Sequence, residues 1–187
     1  MKRDPNGPFI HLYFGDGKGK STCAIGLCIR ALGAGGRVAL VQFDKGYDGE
    51  YEHYCERHVL RNLPDMELYP TGRERMLPDG TFRFGAERED REEVERGLVI
   101  ARDLLEKNEH SLVILDEVLT CYLTRMLRRK DLEDLVRIAR HEFKGDLAMT
   151  GTAIPPGFEK LADLVTEMRC VKHYYKKGIL ARRGIDY

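Results

Sequence analysis

Between residues 15 and 22 the chain reads Gly15-Asp16-Gly17-Lys18-Gly19-Lys20-Ser21-Thr22. Glycines at this density let backbone N–H groups converge on one point, and a helix beginning just after them adds the partial positive charge of its amino terminus. Phosphate oxygens suit such a cradle. Lys20 has the reach for terminal phosphates, and the Ser21 hydroxyl can complete a magnesium shell. A strict G-x-x-x-x-G-K-[ST] pattern asks for glycine at position 14, where this chain has Phe14, so the loop is a variant of that pattern.

A second signal is Leu112-Val113-Ile114-Leu115-Asp116-Glu117. A buried strand that delivers carboxylates at its carboxyl end suits a magnesium–nucleotide site, because ligands bind at that end of open α/β sheets. An acidic pair in this place also caps helices, and the glycine-rich loop upstream favours the magnesium role. His53, Cys55 and His58 are close in sequence but do not share one helix face, so they read as ordinary surface residues. Cys23 and Cys28 follow the loop on a helix and read as small packing residues. No Ser–His–Asp arrangement or other clear nucleophile–base pair is legible.

Something must hold these residues in place. Phe9 to Phe14 reads as a strand running into the glycines, and Ala24, Ile25, Leu27, Cys28, Ala31 and Leu32 repeat at helical spacing until Gly33. Arg37 to Phe43 is a continuous apolar run, the pattern of a strand buried on both faces. Asp44 to Glu50 is turn-rich, Tyr51 to Leu63 reads as helix, and Pro70 to Gly85 as a long surface loop. Ala86 to Lys107 is the clearest helix, with Val94, Leu98, Ala101 and Leu105 as its buried stripe. Its charges are expected to pair as Arg88 with Glu92 and Glu92 with Arg96. Ser111 to Leu115 is a further strand, Leu132, Leu135, Val136 and Ala139 mark a helix, and Asp146 to Thr150 a strand before Gly151. A loop and short helix follow across Pro155 to Asp163. The tail from Leu164 to Tyr187 mixes short β-like runs with turns at Gly178 and Gly184. Strands alternating with helices predict an α/β fold with a mainly parallel sheet flanked by helices.

The chain has 187 residues, enough for one domain, and residues 1–187 are read as a single one. Lys plus Arg and Asp plus Glu both number 31, and this balance argues against a nucleic-acid or anionic-membrane coat, which needs a basic excess. No apolar stretch approaches the roughly 18 residues of a membrane span. Pro5, Gly7 and Pro8 stand where a secretory signal needs apolar residues, and the five cysteines form no C-x-x-C pair, so a reduced cytoplasmic setting is expected.

From about Leu12 to Tyr187 the chain resembles the P-loop type of ATP:corrinoid (cob(I)alamin) adenosyltransferases. The likeness rests on the glycine-rich loop, Val41-Gln42-Phe43-Asp44-Lys45-Gly46 with Gly49-Glu50, Leu115-Asp116-Glu117 and Thr150-Gly151. It continues through Leu161 to Met168, Val171-Lys172-His173 and Gly184-Ile185-Asp186-Tyr187. The resemblance implies a P-loop NTPase-like (RecA-like) fold and accounts for Phe14, since members lack the first glycine and bind ATP reversed. Cobalt(I) of a reduced corrinoid would then attack the ribose 5′ carbon and expel tripolyphosphate.

Carried over residue by residue, Gly15, Asp16, Gly17, Lys18, Gly19, Lys20, Ser21 and Thr22 would bind the nucleotide. The N–H groups of Gly15 to Gly19 would touch phosphate, with Lys18 and Lys20 neutralising the leaving triphosphate. Ser21 and Glu117 would hold Mg2+ with support from Asp116. Aromatics after the third strand are implied in displacing the lower corrinoid ligand. This chain has no tryptophan, so Phe82 and Phe84 stand either for that role or for packing. Asp16 replaces the usual asparagine, Thr152 a common arginine and Arg182 a common glutamine, and the extended amino-terminal arm of some members is absent. A homodimer and a flavin-type reductase supplying cobalt(I) are implied partners. Two other readings remain: a small P-loop kinase or ATPase, and a non-catalytic, ATP-gated corrinoid carrier.

Overall fold

The computed structural model describes residues 7–47, 49, 52–75, 83 and 85–187. Strands β1 (Ile10–Phe14), β2 (Val38–Gln42), β3 (Met66–Pro70), β4 (Leu112–Asp116), β5 (Asp146–Gly151) and β6 (Leu164–Glu167) form one sheet in the order β3-β2-β4-β5-β1-β6. Every pairing is parallel. Helices α1 (Lys20–Gly33), α2 (Glu56–Leu60), α3 (Arg88–Lys107), α4 (Val118–Leu123) and α5 (Arg129–His141) connect them. This is the expected α/β fold.

The continuous apolar runs follow from burial on both faces. Because successive strand side chains point to opposite faces, Ala39, Val41, Val113, Leu115, Leu147 and Met149 join the core under α3, α4 and α5. Their neighbours Val38, Leu40, Leu112, Ile114 and Ala148 join a second core that includes Ala24 and Cys28 of α1 and Leu60 of α2. Cys28 is fully buried, as its packing role requires. The stripe of α3 is buried as expected, and a reciprocal box between Glu87 and Asp90 caps that helix.

Three expectations need correction, and one helix went unread. The helix read over Tyr51–Leu63 is only α2, five residues long; before it Glu52 turns inward to meet Arg57, at 3.0 Å, so its segment cannot wind into a helix. Pro70 ends a strand rather than opening a loop: β3 is an edge strand, half-exposed throughout, and lacks the apolar run that marked β2 and β4. The short helix α4 was hidden because Val118–Leu123 continues the apolar character of β4, and only a left-handed Glu117 (φ 64°) breaks the chain between them. Finally, Arg88 does pair with Glu92 at 2.7 Å, but Arg96 turns to Glu93, at 2.7 Å, and donates to the Pro70 carbonyl at the end of β3.

Parallel strands bring their carboxyl ends to one edge of the sheet. The loops after β1, β2 and β4, together with the segment after β6, meet there.

Candidate nucleotide site

Phe14 is the last residue of β1, in register with Gly151 of β5 and Glu167 of β6. Position 14 is therefore extended backbone that any residue adopts, and the loop proper begins at Gly15. Its glycines serve close approach. A Cβ on Gly15 would lie 2.3 Å from the Met168 carbonyl oxygen, and one on Gly17 2.7 Å from the same atom. Gly17 N–H donates to that oxygen at 2.7 Å, and Gly15 N–H is shared between the Gly151 and Thr152 carbonyls at 3.2 Å. The expectation that both amides face phosphate is thus corrected: in this structure they stitch the loop to β5 and to the end of β6. Asp16 joins the seam by accepting the Cys170 N–H at 2.9 Å.

The other end of the loop opens a helix. Gly19 is left-handed (φ 115°) and precedes α1 without any side-chain cap. The amides of Lys20, Ser21 and Thr22 open the helix and have no intrahelical acceptor. Lys20 folds back to donate to the Gly17 carbonyl at 2.8 Å, which keeps its ammonium over the loop. Lys18 points elsewhere, to the Ile185 carbonyl at 2.8 Å and the Asp186 carboxylate at 2.7 Å.

Gln42 of β2 and Asp116 of β4 are register partners, so the residues just beyond them share one corner. Lys45 occupies it. Its ammonium donates to Asp116 Oδ2 at 2.6 Å and to Ser21 Oγ at 2.9 Å. Burial alone would push the Lys45 pKa down, and the Asp116 carboxylate more than offsets this, leaving it raised. Asp116 shows the converse: burial works against its charge, but Lys45, Thr150 and Ser21 hold its pKa below the usual range. Thr150 donates to Asp116 Oδ1 at 2.6 Å and accepts the Glu117 N–H at 2.9 Å, fixing the left-handed turn that aims Glu117 at the cavity.

The loop carrying Lys45 is held from two sides. Lys45 N–H donates to the Thr71 carbonyl, and Gly46 and Gly72 let the two loops touch backbone to backbone. On the other side Arg57, wholly buried, donates to Gln42 Oε1 and the Lys45 carbonyl, both at 2.6 Å. The Arg57 guanidinium also lies 4.5 Å from the Tyr54 ring centroid, and burial pushes the Tyr54 pKa up to about 12.

Together these elements border an open cavity of ≈ 550 Å³. Ser21, Thr22, Lys45 and Glu117 give it a polar end; Ile25, Tyr54, Ile185 and Tyr187 give it apolar and aromatic walls. Ser21, Asp116 and Glu117 are hard oxygen donors of the kind magnesium takes. That a lysine ammonium already sits between Ser21 and Asp116 shows that this corner favours a cation. Phe82 and Phe84 lie outside the described residues.

Sequence reasoning assigned no role to Lys45, Tyr54, Arg57, Thr150 or Asp186. Only the pairing of β2 with β4 shows that a lysine three residues beyond Gln42 must reach Asp116.

Comparison with known proteins agrees with this geometry. The family model for ATP:corrinoid adenosyltransferase BtuR/CobO/CobP matches residues 6–187. The chain belongs to this family. It is 33% identical over 189 residues to a corrinoid adenosyltransferase of Pseudomonas aeruginosa, covering 99% of this chain and 86% of that one. It is 32% identical over 185 residues to a corrinoid adenosyltransferase of Escherichia coli K12, covering 95% and 85%. A corrinoid adenosyltransferase of Sinorhizobium is 31% identical over 194 residues, covering 100% and 83%. As an ATP:corrinoid adenosyltransferase the chain acts on two substrates, ATP and a corrinoid. No helix among the described residues is long and apolar enough to cross a membrane.

Proposed function

We propose that the chain, acting as one domain, transfers the 5′-deoxyadenosyl group of ATP to the cobalt(I) of a reduced corrinoid and releases tripolyphosphate, in adenosylcobalamin biosynthesis or salvage. The observation that carries this reading is the uncapped amino terminus of α1, whose Ser21 and Thr22 border the same cavity as Lys45 and Glu117.

The chain's own groups act by position and charge. The amides of Gly19 to Thr22 bind phosphate oxygens. Lys20 offsets the charge that grows on the leaving triphosphate, whereas Lys18 is held by Asp186 and the Ile185 carbonyl; such preorganised stabilisation is the main protein contribution where the nucleophile comes from a substrate. Ser21 and Glu117, supported by Asp116, would hold Mg2+, which supplies further charge neutralisation when bound. Lys45 keeps Asp116 ionised and in place. Phe82 and Phe84 stay as candidates for displacing the lower corrinoid ligand. A cytoplasmic homodimer served by a flavin-type reductase completes the reading.

The test is anaerobic incubation with Mg2+, ATP and chemically reduced cob(I)alamin, with the visible spectrum and released phosphates followed together. A light-sensitive adenosyl–cobalt product with tripolyphosphate is expected. ADP as the product would mean γ-phosphoryl chemistry instead. A stable ternary complex without a carbon–cobalt bond would mean a carrier.

A further inference from the structure

The carboxy-terminal segment crosses the edge of the phosphate loop and becomes part of the cavity wall. Gly184, Ile185, Asp186 and Tyr187 all border the cavity, opposite Ser21, Thr22 and Ile25. Three groups converge on Asp186. Its carboxylate pairs with the Lys18 ammonium at 2.7 Å, accepts the Tyr174 hydroxyl and accepts the Arg182 N–H at 2.9 Å. Burial works against the charge of Asp186, yet the hydrogen bonds from Lys18 and Tyr174 hold its pKa well below the usual carboxylate range. Beyond it the Tyr187 ring stands edge-on to His53, 6.5 Å between centroids, so the segment reaches the loop before α2. The segment has little else to hold it: Ile185 is 59% exposed and Leu180 66% exposed.

We infer that Asp186 is a positioning residue of the nucleotide site: through Lys18 it pins residues 184–187 as the wall against which the nucleoside end of ATP lies. The inference rests on the ATP-binding reading of this cavity and adds to it the residue that fixes one wall. Asp186 touches no phosphate in this scheme. It acts by tying the tip of the phosphate loop to the tail, so that the polar floor at Ser21 and the apolar wall at Ile185 and Tyr187 keep a constant spacing. Such a device contributes to ground-state binding, which appears in KM rather than in kcat. The Lys18 side chain is 38% exposed and that of Asp186 10%, so affinity and melting temperature are read on the same variants.

Equilibrium binding of MgATP to the full chain, without corrinoid, tests this directly. Asp186→Ala is expected to weaken binding about tenfold when measured well below its own melting temperature. Asp186→Glu is expected to restore most of the affinity. In a double-mutant cycle, Lys18→Ala with Asp186→Ala is expected to bind as Lys18→Ala alone does, because the two residues form one unit. Wild-type or tighter binding by Asp186→Ala, or losses that simply add in the double variant, would overturn the inference. Failure of the unmodified chain to bind MgATP would instead overturn the nucleotide reading itself.

Discussion

The Lys45 ammonium lies 2.6 Å from Asp116 Oδ2, although one residue is carried on the loop after β2 and the other ends β4. The Asp116 side chain is 2% exposed and that of Lys45 13% exposed, so neither charge has water as a substitute partner. Removing one member of such a pair strands the other. Lys45→Met is therefore expected to lower unfolding stability at neutral pH by about 3–5 kcal/mol, measured by urea titration. Adenosyl transfer should fall with it. A variant as stable as the parent would mean that Asp116 finds a new partner.

Lys20 makes no ion pair with a described residue and donates only to the Gly17 carbonyl. Its charge is available to a ligand. Lys20→Ala is expected to reduce turnover at saturating ATP by at least about 100-fold with little change in the melting curve. Rates near those of the parent would contradict the assignment of this loop to the triphosphate.

Gly15 and Gly17 answer to the same carbonyl oxygen, but Gly15 is also left-handed, at φ 121°. Both steric crowding and backbone strain therefore act at Gly15. Gly15→Ala is expected to destabilise by about 3 kcal/mol, more than Gly17→Ala does, and to loosen β6 from β1. Hydrogen exchange at Met168, whose N–H donates to the Phe14 carbonyl, reads that loosening.

Asp90 accepts two hydrogen bonds from Arg83, at 2.6 and 2.8 Å, and one from the Glu87 N–H at the start of α3. The Arg83 bonds chiefly hold its pKa down to about 2, against 3.8 for a free aspartate. A depressed carboxylate stabilises the folded state above its unfolded pKa and loses that contribution as pH falls through the folded one. Stability should accordingly drop by about 2 kcal/mol between about pH 4 and pH 2, and Asp90→Asn should flatten that part of the profile.

Phe82 is the candidate whose role turns on the oxidation state supplied. Phe82→Ala is expected to slow turnover from cobalt(II) more than turnover from prereduced cobalt(I). Equal losses would assign Phe82 to packing.

Local signals in the sequence were enough for β1, α1, β2, α3, β4, α5 and β5, because the helices show a periodic buried stripe and the central strands β2 and β4 a continuous apolar run buried on both faces. The glycine-rich loop between β1 and α1 was legible from its composition, but not where its Gly15 and Gly17 amides turn. What stayed hidden was set by tertiary neighbours. The edge position of β3 removed its apolar run, and Arg57 became a buried hub only because Gln42, Glu52 and the Lys45 carbonyl turn toward it. The Gly15 amide goes to the Gly151 and Thr152 carbonyls and the Gly17 amide to Met168, all more than 130 residues away in the chain.

Alternation of β2 between two separate cores has an evolutionary consequence. Adding or deleting one residue between Val38 and Lys45 would exchange the sets that face the two cores and turn Lys45 away from Asp116 together with them. Side-chain replacements in this stretch can be sampled by degrees, whereas changes of length are all or nothing. Descendants of this chain are thus free to drift in composition here but not in spacing, and innovation by insertion is left to the loops beyond the sheet.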